Sequence, residues 1–116
     1  MFRVIIAGSR TFNDYQLLRD KCDKLFSGKR PTAIVCGEAK GADSLGKRYA
    51  EERGIDVMSF PADWSTYGKR AGYIRNEEMA KNADALVAFW DGTSHGTQHM
   101  INLAKQYGLA MRVIIF

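Results

Sequence analysis

Cysteine is scarce in this chain, with Cys22 and Cys36 as its two representatives, and neither sits in a CxxC or histidine-rich context. Both therefore read as small buried hydrophobes rather than metal ligands or nucleophiles. Long hydrophobic runs are missing as well, so no membrane span is expected. Neither GxGxxG nor GxxxxGK[ST] occurs, which disfavours a conventional dinucleotide fold and a P-loop nucleotide hydrolase. There is no linker, low-complexity tract or sequence repeat. The opening Met1-Phe2-Arg3-Val4-Ile5-Ile6 has the pattern of a first strand rather than a signal peptide, and a cytoplasmic protein with no contact to a membrane is the expectation.

What is present is ordinary globular composition, 46% hydrophobic and 26% charged, in a chain of 116 residues that has room for one domain and one core. Seventeen Lys and Arg against thirteen Asp and Glu leave a net charge of +4 spread along the chain. That excess favours an anionic ligand weakly and a nucleic-acid groove only as a minor alternative.

Hydrophobic periodicity predicts strands over residues 2–7, 32–36, 56–60, 84–90 and 111–116, and helices over about 14–26, 41–53, 72–82 and 96–107. Ser27-Gly28-Lys29-Arg30-Pro31 stops the first helix, and Gly54 is placed to cap the second. Residues 61–72 lack a period and receive no assignment. The near-continuous apolarity of Val4-Ile5-Ile6, Ala33-Ile34-Val35 and Val113-Ile114-Ile115 indicates parallel strands covered on both faces. The predicted fold is α/β, a single Rossmann-like three-layer sandwich with a mainly parallel five-stranded sheet over residues 1–116.

Three of the strands end in glycine-bearing loops that lead into helices: Gly8-Ser9-Arg10, Gly37-Glu38-Ala39-Lys40-Gly41-Ala42-Asp43 and Asp91-Gly92-Thr93-Ser94-His95-Gly96-Thr97. In a parallel sheet such loops open on one edge and can converge on one ligand. Glycine lets backbone N–H groups approach a phosphate, and the following helix directs its positive dipole end toward it. Ser9 offers a hydroxyl and Arg10 a planar donor fork, although a tight turn with a solvated arginine explains the tripeptide equally well. Asp43 falls in a first helical turn, where it can hydrogen-bond a ribose or simply cap the helix. In the third loop Ser94, Gly96 and Thr97 suit a phosphate, while Asp91 can bind a ribose hydroxyl or cap the turn.

The segment from Ala62 to Asn76 gathers aromatic and basic groups. Trp64 or Tyr67 can stack on a base, and Lys69, Arg70 and Arg75 can neutralise phosphates. The other reading of Trp64, as a mere cover for the end of the sheet, is the weaker one. His95 and His99 lie four apart, but His95 is read as part of the glycine loop and no HExxH carboxylate lies between them, so no metal site and no cofactor are expected.

Taken in order, Gly8-Ser9-Arg10, Gly37-x-Ala39-x-Gly41-Ala42-Asp43-x-Leu45, Ala62-Asp63-Trp64, Gly68-Lys69-x-Ala71-Gly72, Arg75-Asn76-x-x-Met79-Ala80, Ala83-Asp84 and Asp91-Gly92-x-Ser94-x-Gly96-Thr97 resemble the YspA branch of the SLOG superfamily. The resemblance implies a Rossmann-like domain that binds nucleotides or nucleotide-derived ligands, such as ADP-ribose derivatives, and that commonly forms homo-oligomers. It also extends to the LOG-type phosphoribohydrolases, whose signature is echoed by Arg75, Met79, Ala80, Gly96 and Thr97. The position matching their glutamate is Met100, and a thioether can neither stabilise an oxocarbenium ion nor activate water. The available substitutes are Glu38 and Asp63.

The leading expectation is thus a domain that senses or sequesters a nucleotide-derived small molecule. Its phosphate would rest on Ser9, Arg10, Gly96 and Thr97, with Asp43, Asp63 and Trp64 at the sugar or base. Gly8, Gly37, Gly41, Ala42, Lys69, Arg75, Asn76, Asp91, Gly92 and Ser94 complete the expected ligand-binding set. The alternatives are a nucleotide N-glycosidase acting through Glu38 or Asp63 and, ranked last, a module for single-stranded nucleic acid.

Overall fold

The computed structural model describes residues 1–116. Strands β1 (Arg3–Gly8), β2 (Ala33–Cys36), β3 (Asp56–Ser59), β4 (Ala85–Trp90) and β5 (Ala110–Ile115) alternate with helices α1 (Tyr15–Leu25), α2 (Ala42–Arg53), α3 (Trp64–Tyr67), α4 (Ala71–Lys81) and α5 (His95–Gln106). The sheet is parallel throughout, in the order β3-β2-β1-β4-β5. The α/β Rossmann-like architecture expected from the sequence is present, with element ends displaced by a residue or two.

The continuous apolar runs arise because successive strand residues face opposite layers and both layers are helical. Val4 and Ile6 of β1 pack with Leu18 and Cys22 of α1 and with Tyr49 and Ala50 of α2. Ile5 and Ala7 instead meet Met79 and Ala80 of α4 and Ile101 and Ala104 of α5. Ile5 and Ile6 are fully buried on opposite faces, and each such burial is worth about 1.5–3 kcal/mol relative to exposure. Burial also pushes the Cys22 thiol up to about 12, in keeping with a packing role.

The terminal strand departs from the expected two-sided cover. Val113 and Ile115 are 38% and 61% exposed. The physical reason is position: β5 is an edge strand, and α5 packs over β4 and β1, inboard of it. Apolar residues alone cannot distinguish a central strand from such an edge.

The unassigned stretch from residue 61 is also resolved. Asp63 caps the one-turn helix α3 through its bond from the Thr66 N–H, and a 3₁₀ turn over Gly68–Arg70 leads directly into α4. Two consecutive turns of different pitch are too short to show a period.

The connections through α1 and α2 move the chain outward from β1 to β3, and the connection through α3 and α4 carries it back to β4 on the other side of β1. The reversal lies between β1 and β4. Loops leaving those two strands diverge to opposite layers, and a crevice opens between them.

Candidate functional site

The crevice is built around Ser9, which is 2% exposed. Its N–H donates to the Phe89 carbonyl at 2.9 Å, and its hydroxyl accepts the Asp91 N–H at 3.1 Å and lies within hydrogen-bond distance of the Ser94 hydroxyl, at 2.8 Å. One Asp91 oxygen then accepts from the N–H groups of Thr93 and Ser94 at 2.9 and 2.8 Å and from the Ser94 hydroxyl at 2.9 Å. Those backbone donors hold the Asp91 carboxyl well below the usual carboxylate range. The β1 and β4 exits are thereby tied into one frame. Gly8 is required by close approach, since a Cβ there would stand 2.1 Å from the Phe89 carbonyl oxygen.

A second tie joins the β2 exit to α4. Arg75 donates to the Gly37 carbonyl, and its Nε donates to the Asn76 amide oxygen at 3.0 Å. Asp43, 6% exposed, lies beside that guanidinium and beside the backbone N–H groups of Ala39, Gly37 and Gly8. Desolvation outweighs these partners and pushes the Asp43 carboxyl up to about 6. A Cβ on Gly37 would fall 2.6 Å from Arg75 Nη1 and 2.9 Å from Asp43 Oδ2, so only glycine lets the pair sit there. Asn76 reaches on to α5, donating to the Gly96 carbonyl at 3.3 Å and lying 3.2 Å from His99 Nδ1. The His99 ring stands edge-on to Tyr73 at 4.7 Å, and burial lowers its pKa.

Between the two ties lies a cavity of about 330 Å³. The first turn of α5 borders it, and the N–H groups of His95, Gly96 and Thr97 have no intrahelical acceptor, the first such bond being Gln98 N–H to Ser94 at 3.1 Å. Arg10 borders it too. Its side chain makes neither a hydrogen bond nor an ion pair with the protein, and its charge works against the charge on Arg75. Two further cavities, of about 460 and 230 Å³, adjoin the first, and each shares Arg10, Arg75 and Trp64 with the other.

A family model, YAcAr, described as the YspA, cpYpsA-related SLOG family, matches residues 2–67. The chain belongs to this family. The matched stretch carries the β1 and β2 exits and Trp64, while Arg75 and the start of α5 lie beyond it. The gene 61 protein of Mycobacterium phage D29 is 37% identical over 116 residues, covering 94% of this chain and 93% of that protein. Among solved structures, DNA processing protein A (DprA) from Streptococcus pneumoniae superposes with a TM-score of 0.74 at 16% identity, over 97% of this chain. The SLOG chain spans 49% of that structure's length, and at such low identity the likeness speaks for the fold alone.

Most of the expected site of this SLOG chain falls on the central cavity. Gly8, Ser9, Arg10 and Asp43 border it from the first two exits, Arg75 and Asn76 from α4, and Asp91, Ser94, Gly96 and Thr97 from the third exit. Gly37, Trp64 and Lys69 border the adjoining cavities. Gly41 and Ala42 lie behind the wall, where the Ala42 N–H meets the Ser9 carbonyl at 3.4 Å, and Gly92 shapes the third loop.

Both carboxylates considered for catalysis sit elsewhere. Glu38 accepts from the Ser59 hydroxyl at 2.6 Å and from Lys47 at 3.4 Å, and borders the outer cavity rather than the central one. Asp63 accepts from Ser65 and Thr66 at 2.9 and 3.1 Å. Met100 does border the central cavity and is 1% exposed. Polar and aromatic cavity residues absent from the expected set include Lys40, Tyr73 and His95. His95 opens α5 instead of lying in the loop. All three stand inside motifs already singled out, and their proximity to glycine at a strand exit or helix start was the available signal.

Proposed function

We propose that this protein binds a phosphate-bearing, nucleotide-derived small molecule in the crevice between the β1 and β4 exits, and binds it without cleaving it. The observation that carries the reading is the unpaired Arg10 guanidinium facing Arg75 across a cavity bordered by the open N-terminal turn of α5. Two like charges beside a helix dipole of the same sign are relieved by an anion. The hydroxyls of Ser9 and Ser94 are already committed to each other, so phosphate contact falls to Arg10 and to the N–H groups of Gly96 and Thr97.

Binding rather than cleavage is supported by the state of the carboxylates. Asp91 is held by three donors on one oxygen and kept ionised, Asp43 is buried beside Arg75, Glu38 is bonded to Ser59 and Lys47 at an adjoining cavity, and Asp63 caps α3. A glycosidase of the related kind needs a carboxylate free at the sugar.

Calorimetry and thermal shift with inorganic phosphate, the four common nucleoside monophosphates and ADP-ribose test the proposal, with chromatography of the mixtures to detect free base. Saturable binding that Arg10→Ala weakens, with the ligand recovered intact, is the expected result. Absence of binding by every compound would reject it, and release of free base would turn the reading to the glycosidase. Tight binding to a single-stranded oligonucleotide that collapses with added salt, with none to the small ligands, would favour a nucleic-acid module.

A further inference from the structure

Asn76 borders the central cavity, but one of its partners, His99, does not. The amide of Asn76 is buried, and each of its polar atoms is in use. Its Oδ1 accepts from Arg75 Nε at 3.0 Å, while its Nδ2 donates to the Gly96 carbonyl at 3.3 Å and lies 3.2 Å from His99 Nδ1. An arginine Nε can only donate and a carbonyl can only accept, so these two partners fix which end of the amide is oxygen. Nδ2 therefore presents its remaining hydrogen to His99, and Nδ1 is the unprotonated nitrogen of a neutral ring.

A proton on Nδ1 would set two N–H groups against each other. Turning the amide over gives no relief, because its oxygen would then meet the Gly96 carbonyl and its NH₂ the Arg75 Nε–H. Asn76 thus has one fully bonded arrangement, and it requires a neutral His99. From α4, Tyr73 stands edge-on to the ring at 4.7 Å, and Glu77, the carboxylate that acts on it, lies 3.9 Å from Lys81. From the sheet, Ile5 and Ala7 of β1 and Leu86 and Ala88 of β4 pack with α5 and carry no charge. His95, one turn earlier on α5, is exposed. Burial outweighs the pull of Glu77 and holds the His99 ring below its ordinary pKa of 6.5, yet the residue is only partly buried, so protons reach it from water.

We infer that His99 is an acid-sensitive latch: when neutral it holds Asn76 in the arrangement that restrains both Arg75 and the Gly96 carbonyl, and proton uptake at Nδ1 releases them. A residue outside the central cavity thereby controls two of the groups that border it, one on α4 and one in the first turn of α5. The device acts in the chain alone, whatever the crevice binds. Because the folded ring takes up its proton less readily than an unfolded one, the stability it supplies is present above pH 6.5 and is lost as the pH falls below that value. Asp43 acts in the opposite sense, so the two groups are separable.

The test follows the side-chain nitrogen resonances of the isotopically labelled full chain by NMR, with no ligand added, between about pH 8 and pH 5. The Asn76 amide and Arg75 Nε are expected to shift with the midpoint of His99, and that midpoint to lie below 6.5. In His99→Gln, which offers Asn76 an acceptor and takes up no proton, the Asn76 shift should vanish. Asp43 lies beside Arg75 and titrates in the same range, so in Asp43→Asn both Asn76 and Arg75 should still follow His99. Asn76→Asp places a carboxylate where a protonated ring can donate to it, and should raise the His99 midpoint above the wild-type value. The melting temperature of the wild type relative to His99→Gln should fall as the pH is lowered through the same range. An Asn76 amide that stays still while His99 titrates, or that shifts equally in His99→Gln, would overturn the latch. A His99 midpoint unmoved in a folded Asn76→Asp would do the same, and should that variant fail to fold, the wild type and His99→Gln decide the matter.

Discussion

The helical face formed by α1 and α2 and the crevice at the strand exits are both rich in arginine, and they use it in opposite ways. On the helices Arg19 meets Asp20 at 3.6 Å, Arg48 meets Glu52 at 3.1 Å and Arg53 meets Asp23 at 2.7 Å. Asp23 is also the acceptor for the Tyr49 hydroxyl at 2.7 Å, so the charge joins α1 to α2. In the crevice Arg75 donates to a carbonyl and an amide, and Arg10 has no protein partner at all. The lesson lies in the missing carboxylate. Where charge serves packing the chain pairs the two signs, and in the crevice Arg10 is left without a carboxylate partner.

The harshest way to break this arrangement is to disturb the frame that separates the two regions. Gly8→Ala forces a Cβ against the Phe89 carbonyl, which is itself bonded to Ser9. A loss of about 3 kcal/mol in unfolding free energy by denaturant titration is expected, since a backbone oxygen cannot rotate aside. A change within about 0.5 kcal/mol would mean that the β1 exit is looser than the frame requires.

Asp43 is a buried crevice carboxylate that lies beside the Arg75 cation, so its titration sharpens the contrast with Asp23. The folded chain holds the Asp43 proton to pH about 6, against an ordinary value of 3.8. Between those values the folded state binds more protons than the unfolded state, so stability from this group falls as pH rises, by about 3 kcal/mol in total. Asp43→Asn carries no such proton. The unfolding free energy of the wild type relative to this variant should therefore decline between pH 4 and 7 and level off above. A constant difference would show that the burial of Asp43 is compensated by Arg75 and the backbone donors.

The comparison is tested most directly by a crossed pair of variants. Arg10→Ala should weaken ligand binding by about 10- to 100-fold, as expected for a lost charge-assisted contact, with the melting temperature unchanged. Arg53→Ala should do the reverse, lowering the melting temperature and sparing affinity. If Arg10→Ala behaves like Arg53→Ala, the crevice arginine belongs to the packing set.

The fold was legible because its main determinants are local. Glycine at the β1 and β2 exits and apolar runs such as Val4-Ile5-Ile6 mark strand ends and buried faces directly. The failure at Val113 and Ile115 is equally physical, because exposure at an edge depends on where α5 lies and not on the strand itself. The crevice was legible as a set of motifs, but the task of each side chain was not. Ser9 and Ser94 have the chemistry of phosphate ligands, and only their 2.8 Å separation shows that they bind each other. Glu38 likewise stands in the right loop, and its bond to Ser59 on a neighbouring strand turns it outward. Such distinctions depend on contacts between residues far apart in the chain.

The smallest expected effect comes from the hydroxyl network itself. In Ser94→Ala the Ser9 hydroxyl keeps the Asp91 N–H, and Asp91 keeps the N–H groups of Thr93 and Ser94, so the loop retains its main ties. Loss of the two hydroxyl bonds should cost about 1 kcal/mol of stability in denaturant titration, typical of a neutral hydrogen bond removed with its neighbours still satisfied. Ligand affinity should change by less than in Arg10→Ala, because the open N–H groups of Gly96 and Thr97 stay in place at the start of α5. An affinity loss in Ser94→Ala equal to that of Arg10→Ala, with stability intact, would reverse the assignment. The hydroxyl would then turn to the ligand on binding, and the internal bond between Ser9 and Ser94 would be a feature of the empty crevice.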